Sequence, residues 1–220
     1  MVNLGDEFPN FTADTTAGKV EFYNWIGDSW CIFFSHPNAF TPVCTTELGR
    51  VAQLMPEFSK RNCKVIGCSC DGVNDNKKWT EDIKSYSKIE GDGFPYPIIA
   101  DESRSLAVQL GMIDPAEKNK DGLPVTCRAV FIVDPKKILR LSILYPATTG
   151  RDFNEILRVL DSLQLTDIKQ VATPVDWKLG DSCMVLPTLS TDEAHGLFPA
   201  GFKTVQVPSG LDYIRITPQP

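Results

Sequence analysis

The chain has 220 residues, of which 42% are hydrophobic and 23% charged, with a formal net charge of −6. That is an ordinary globular composition, long enough for one well-buried domain and a smaller appendage. It excludes membrane-spanning helices, since no window approaches the ~20 apolar residues required, and it disfavours nucleic-acid binding, which needs a clustered positive surface. The start, Met1-Val2-Asn3-Leu4-Gly5-Asp6, lacks the basic and apolar stretches of a secretory signal. The end, Thr217-Pro218-Gln219-Pro220, carries no peroxisomal or reticulum-retention tripeptide, so a cytoplasmic location is expected.

Trp30-Cys31-Ile32-Phe33-Phe34-Ser35 reads as a strand buried on both faces. The turn His36-Pro37-Asn38-Ala39-Phe40-Thr41-Pro42 follows. From Val43 to about Arg61 the apolar residues Val51, Leu54, Met55 and Phe58 recur at helical spacing, with Pro56 predicting a kink or an early stop. Lys60 and Arg61, with Lys64, read as a solvated helix end. Cys63 to Cys70 is the next strand, which makes a strand–helix–strand unit and a parallel pair.

A polar helix is predicted over Asn74–Ser87, a loop at Gly91-Asp92-Gly93 through Pro95 and Pro97, and a strand at Ile98-Ile99-Ala100. Asp101 or Ser103 would cap a helix ending near Gly111. Asp114–Pro124 reads as loop, Ala129–Val133 as strand, Asp134–Lys137 as turn and Ile138–Leu144 as the antiparallel return. Arg151–Gln164 is an amphipathic helix with Phe153, Ile156, Leu157, Leu160 and Leu163 on one face. The order fits an α/β, thioredoxin-like fold over residues 1–168. Beyond Thr166 prolines recur and long periodic stretches end, so residues 169–220 are expected to form a small C-terminal extension domain.

Seven cysteines stand at 31, 44, 63, 68, 70, 127 and 183, an odd count that suits free thiols in a reducing compartment. Thr41 can cap a helix whose first position is Pro42, which puts Cys44 in the first turn. There the unpaired amides and positive helix end favour a thiolate, the reactive form of cysteine. Cys31, Cys63, Cys68, Cys70 and Cys127 lie on or beside predicted strands as core or edge residues. A dithiol oxidoreductase would need Cys-x-x-Cys, but Thr45, Thr46 and Glu47 follow Cys44. A zinc module on Cys63, Cys68 and Cys70 lacks a second Cys or His pair at structural spacing. His36 is either a pH-sensitive partner of the site or a contact to a reductant, or else a packed, hydrogen-bonded histidine at a strand end.

Pro37-x-x-x-Thr41-x-x-Cys44, within Phe40-Thr41-Pro42-Val43-Cys44-Thr45-Thr46-Glu47-Leu48, resembles the active-site signature of the one-cysteine peroxiredoxins, the peroxiredoxin 6-like subfamily. Leu123–Arg128, Leu144–Arg151, Val171–Trp177 and the terminal Thr217–Pro220 extend the resemblance over essentially the whole chain. It implies a thiol-specific peroxidase acting on hydrogen peroxide and on organic or lipid hydroperoxides, through a sulfenic acid on Cys44 that an external thiol reduces. It also implies that Thr41 donates its hydroxyl toward the peroxide and accepts from the Cys44 backbone or sulfur, that Arg128 holds the thiolate and polarises the peroxide, and that Pro37 shields the pocket. Arg151 would link Glu47 or Arg128 behind them. No metal, haem or flavin cofactor is expected. Relatives suggest glutathione delivered by a glutathione transferase as the reductant, and a homodimer as the assembly.

The Val-Cys-Pro resolving segment of the classical two-cysteine enzymes is absent; Cys183 is the only cysteine of the C-terminal part, and its neighbours do not match that segment. The Gly-x-Ser-x-Gly-like segment tied to phospholipase activity in some relatives reads Gly27-Asp28-Ser29-Trp30-Cys31. Tyr23 and Lys136 stand where the associated histidine and aspartate would be.

Overall fold

The computed structural model describes residues 2–220. Residues up to Phe153 form one compact unit and Asn154–Pro220 another.

The first unit begins with a hairpin, β1 (Thr12–Thr15) and β2 (Gly18–Glu21). The Thr15 hydroxyl donates to Gly18 O at 2.6 Å, and Gly18 takes φ +103°, a conformation that glycine adopts without strain. Helix α1 (Phe22–Ile26) follows, with the Glu21 carboxylate accepting from Asn24 N. Strand β3 (Trp30–Ser35) is buried at every residue. Then come α2 (Pro42–Lys60), β4 (Cys63–Ser69), α3 (Val73–Ser87), β5 (Ile98–Ala100) and α4 (Ser105–Gln109). A ribbon, β6 (Ile113–Lys118) with β7 (Pro124–Thr126), precedes β8 (Arg128–Val133) and β9 (Leu139–Tyr145). Helix α5 (Phe153–Ile168) starts at the last residue of this unit.

Seven strands form one sheet in the order β2-β1-β5-β4-β3-β8-β9. β3, β4 and β5 run parallel, β8 is antiparallel to β3, and β9 is antiparallel to β8. The fold is α/β and thioredoxin-like, as its order of elements predicts. One face of the sheet carries an aromatic core in which Phe8 lies 5.4 Å from Phe22, 5.7 Å from Phe33 and 5.8 Å from Phe131. Each such side chain contributes about 1.5–3 kcal/mol by leaving water.

Several expectations need correction. Pro56 does not stop α2, because buried Leu54 and Phe58 hold the helix on either side of the missing amide. The N-terminal cap of α4 is Arg104, at φ +62°. Asp101 serves the same end from further back, its carboxylate accepting from Leu106 N (3.3 Å) and Ala107 N (2.8 Å). The predicted loop 114–124 contains most of β6 and the start of β7, paired across an irregular register. Its exposed, polar, proline-containing sequence hid it, as is common for a peripheral ribbon. Lys60 and Arg61 pair with Glu57 at 2.6 and 3.0 Å, consistent with a solvated helix end.

Helices α2 and α3 approach closely at Gly49, where an added Cβ would lie 1.8 Å from Ser87 Oγ and 2.8 Å from Ser87 Cβ.

The second unit carries a four-stranded antiparallel sheet ordered β10-β11-β13-β12, from β10 (Val171–Ala172), β11 (Cys183–Val185), β12 (Lys203–Thr204) and β13 (Arg215–Thr217). Helix α6 (Thr191–Leu197) opens with a reciprocal cap between Ser190 and Glu193. Leu165, Val171, Trp177, Cys183, Val185, Ala194 and Phe198 give this unit a core of its own.

Candidate active site

The site is built where β3, α2 and β8 end or begin together. Ser35, the last residue of β3, donates its hydroxyl to Cys127 O at 2.7 Å and accepts from Ala129 N at 3.0 Å. This clamps the chain on both sides of Arg128, so the guanidinium is aimed by the backbone before its own contacts form.

Cys44 lies in the first turn of α2 and is fully buried. Thr41 is the N-cap residue, in extended conformation (φ −118°, ψ 147°), but its side chain makes no capping bond. Its hydroxyl donates to Asn38 O at 2.9 Å, while its carbonyl accepts from Thr45 N at 3.0 Å and Thr45 Oγ1 at 2.8 Å. The positive end of the helix is therefore not neutralised by a capping oxygen of Thr41. Pro37 is buried beside this turn.

Arg128 Nη1 lies 3.3 Å from Cys44 Sγ and donates to Glu47 Oε2 at 2.7 Å. Arg128 Nε and Nη2 both donate to Ala147 O. Arg151 adds three bonds to Glu47, from its backbone N (2.8 Å), Nε (2.9 Å) and Nη2 (2.7 Å). Its Nη1 donates to Ser35 O and Ala129 O, and its guanidinium lies over Phe34 and Phe153 at 5.3 and 5.4 Å. Burial pushes the Glu47 carboxyl pKa up, but the hydrogen bonds and charge of Arg151, with the charge of Arg128, outweigh it and hold the group below its usual range. Two buried guanidinium groups thus face one buried carboxylate. The cluster carries an excess positive charge beside the sulfur.

His36 is fully buried with its ring 5.1 Å from Trp79, and neither ring nitrogen has a hydrogen-bond partner. Burial, then the charges of Arg151 and Arg128, bring its pKa down to about 3, so the ring is neutral at physiological pH. It is packed at the strand end, but its ring is not hydrogen-bonded as the second sequence reading expects; only its backbone is held, its N donating to Cys68 O and its carbonyl accepting from Thr126 Oγ1.

Sequence reasoning missed Trp79 and Asp71. Trp79 Nε1 donates to Thr45 Oγ1 at 3.1 Å, which ties α3 to the first turn of α2. A lone tryptophan in an otherwise polar helix is the signal that could have found it. Asp71 Oδ2 accepts from Ala39 N at 2.7 Å and holds the loop that leads to Thr41.

All seven cysteines are free. Burial pushes the thiols of Cys31, Cys63, Cys68, Cys70, Cys127 and Cys183 upward. Cys183 is buried in β11 with its sulfur 3.8 Å from Asp181 O. Ser29 donates to Asn62 Oδ1 at 3.1 Å, and the Tyr23 hydroxyl contacts Glu7 and Phe8 O, so these side chains do not form a serine–base pair. Among the described residues no group of 3 or more His, Cys, Asp or Glu side chains could hold a metal ion.

Comparison with known proteins follows this geometry. Residues 4–142 match the AhpC/TSA family, and residues 162–201 match the C-terminal domain of 1-Cys peroxiredoxin. Peroxiredoxin-6 of Gallus gallus is 62% identical over 218 residues, covering 99% of this chain and 97% of the relative. Peroxiredoxin-6 of Homo sapiens is 60% identical over the same shares. A crystal structure of a cysteine-to-serine mutant of Arenicola marina peroxiredoxin 6 superposes with a TM-score of 0.97 at 60% identity, covering 100% of this chain and 99% of that one. The two family matches together span the thioredoxin-like sheet and the small C-terminal unit that follows it in the chain. The chain is therefore a thiol-dependent peroxidase and belongs to the AhpC/TSA family, in its one-cysteine peroxiredoxin branch.

Proposed function

We propose that Cys44 is the peroxidatic nucleophile and that Arg128, Thr41 and Pro37 form its pocket. The observation that carries this is the Arg128 Nη1 to Cys44 Sγ contact of 3.3 Å inside a cluster of two arginines and one glutamate. The sulfur attacks one peroxide oxygen and the O–O bond breaks. The departing oxygen takes a proton and leaves as water or an alcohol, and the attacked oxygen stays on sulfur as a sulfenic acid. Arg128 supplies fixed donors where charge develops on the peroxide oxygens. Thr41, whose hydroxyl donates to Asn38 O, keeps lone pairs to accept from the peroxide hydrogen. Glu47 and Arg151 hold Arg128 in place, Pro37 and His36 exclude water, and none of these steps calls for a metal, haem or flavin.

The substrates are hydrogen peroxide and organic or lipid hydroperoxides. The reductant is an external thiol, with glutathione brought by a glutathione transferase as the favoured source. Support comes from a yeast mitochondrial 1-Cys peroxiredoxin, 44% identical with a TM-score of 0.90, whose thiol resolving mechanism runs via glutathione/thioredoxin systems. The protein works as a homodimer in the cytoplasm. Residues 1–168 act as the peroxidase domain and 169–220 as its C-terminal extension.

The test is peroxide consumption with several thiol reductants, comparing wild type with Cys44→Ser. Loss of all turnover with an unchanged fold is the expected result. Turnover retained in Cys44→Ser removes Cys44 from the mechanism. Under excess peroxide, intact mass should show oxygen added to the Cys44 peptide; a disulfide dimer that disappears in Cys183→Ser would instead make Cys183 the resolving thiol.

A further inference from the structure

A one-cysteine mechanism needs a reductant to reach a sulfur that is fully buried. The loop in front of that sulfur, Asn38-Ala39-Phe40-Thr41, forms one wall of a cavity of about 700 Å³. That volume lies within the range of small-molecule sites. Thr41 belongs to both places: it lines the cavity, and Cys44 follows it by three residues, about 4.5 Å along the helix axis. The rest of the lining is charged in both senses. Arg104, Lys118 and Lys120 are the positive groups, and Asp71, Asp75, Glu102 and Asp121 the negative ones. Arg104 is fixed by bonds from Nε to Pro124 O (2.8 Å) and from Nη1 to Glu102 O (2.9 Å). Lys118 and Lys120 sit on the exposed ribbon formed by β6 and β7 and the turn between them. A wall of both signs suits neither a lipid nor a simple anion; it suits a small zwitterion.

We propose that this cavity binds the thiol reductant, a small peptide thiol carrying carboxylates and an ammonium group, with the lysines facing its carboxylates and Asp75 and Glu102 facing its ammonium. This rests on the assignment of Cys44 as the oxidised residue. The bound thiolate attacks the sulfenic sulfur of Cys44, the S–O bond breaks, and the hydroxide leaves with a proton as water. A mixed disulfide remains. A second thiol attacks the outer sulfur of that disulfide, which frees Cys44 and releases the oxidised dimer of the small thiol. Access needs the 38–41 loop to swing aside and break the Ala39 N to Asp71 bond; the φ of +54° at Phe40, a conformation that costs a non-glycine residue about 1–3 kcal/mol, offsets part of that cost. Cys70 also lines the cavity, but burial raises its pKa to about 11, so it stays a protonated thiol and does not compete as a nucleophile.

The test measures the second-order rate of reduction of Cys44 after one equivalent of peroxide. Glutathione, which carries the charges, is compared with dithiothreitol, which carries none. Two variants are used: Lys118→Glu with Lys120→Glu, which reverses charge on an exposed ribbon, and Leu123→Trp, which fills cavity space without changing charge. The charge-reversed variant should be slower with glutathione by about tenfold or more, the scale of one charge-assisted contact, and should keep its dithiothreitol rate. Leu123→Trp should also slow glutathione more than dithiothreitol. Unchanged glutathione rates in both variants overturn the proposal, and so does an equal fall with both thiols, which would mean a disturbed loop in place of a lost binding site. Failure of wild-type Cys44 to oxidise at the start would overturn the Cys44 assignment instead, and mass spectrometry of that first step tells the two failures apart.

Discussion

Cys31 and Cys68 are as completely buried as Cys44, yet the three thiols occupy different worlds. Cys31 and Cys68 sit on strands among Phe33, Ile66, Ile99 and other apolar side chains, where burial, joined at Cys68 by the charge of Asp101, raises the cost of a charged sulfur. Cys44 sits at a helix start, with a guanidinium 3.3 Å away and a cluster one positive charge in excess. Burial is therefore common to all three thiols, and what sets Cys44 apart is the charge enclosed with it.

The most disruptive way to break that contrast is to remove the shared carboxylate. Glu47→Ala leaves two buried arginines unpaired and should cost about 3–5 kcal/mol of stability, read as a large fall in the urea midpoint. A midpoint within experimental scatter of wild type would mean that the cluster is not load-sharing in the way its hydrogen bonds imply.

Removing the guanidinium next to the sulfur is the more selective break. Arg128→Ala should lower the rate of Cys44 oxidation by about 10²-fold or more, with a smaller loss of stability because Glu47 keeps Arg151. Thr41→Val should act in the same direction. Stopped-flow traces that overlay wild type would take either residue out of the chemistry.

Acid sharpens the comparison. The folded pKa of His36 lies near 3, below its ordinary 6.5, so the unfolded chain takes up the proton first and stability is lost as pH falls from 6.5 towards 3. Glu47 works in the same direction, but only as pH falls below its ordinary 4.5, because its folded pKa is depressed. Of these two groups, only His36 acts between pH 6.5 and 5. His36→Phe should flatten the dependence of the urea midpoint on pH in that interval; an unchanged slope would place the responsible proton elsewhere.

The smallest expected effect is that of Trp79→Phe, which keeps an aromatic ring but removes the donor to Thr45 and part of the buried indole volume. A loss of about 0.5–1.5 kcal/mol is expected, together with faster hydrogen exchange at the first turn of α2. Equal exchange in both proteins would show that α3 does not steady that turn.

The reactive corner was readable because its parts are local. Trp30–Ser35 announces a buried strand, and Thr41-Pro42 announces the helix start that puts Cys44 in its first turn. Arg128 and Arg151 entered through the family resemblance, since nothing local to either residue points to a carboxylate 81 or 104 positions away. The β6–β7 ribbon stayed hidden for a different reason: strands that bury little and include proline carry no alternation to detect. Trp79 was hidden by its helix, whose polar sequence reads as solvent-facing along most of its length.

The contact at Gly49 ties the permitted variation of two distant positions together. A side chain at 49 would collide with the backbone-proximal Cβ of Ser87 at 2.8 Å, which no rotamer change at Ser87 can relieve. A lineage can enlarge residue 49 only by trimming residue 87 to glycine or by letting α3 drift outward, and drift withdraws Trp79 from Thr45. Residues 49 and 87 should therefore covary among relatives, and an alanine at 49 that is harmful alone should become neutral when paired with a glycine at 87.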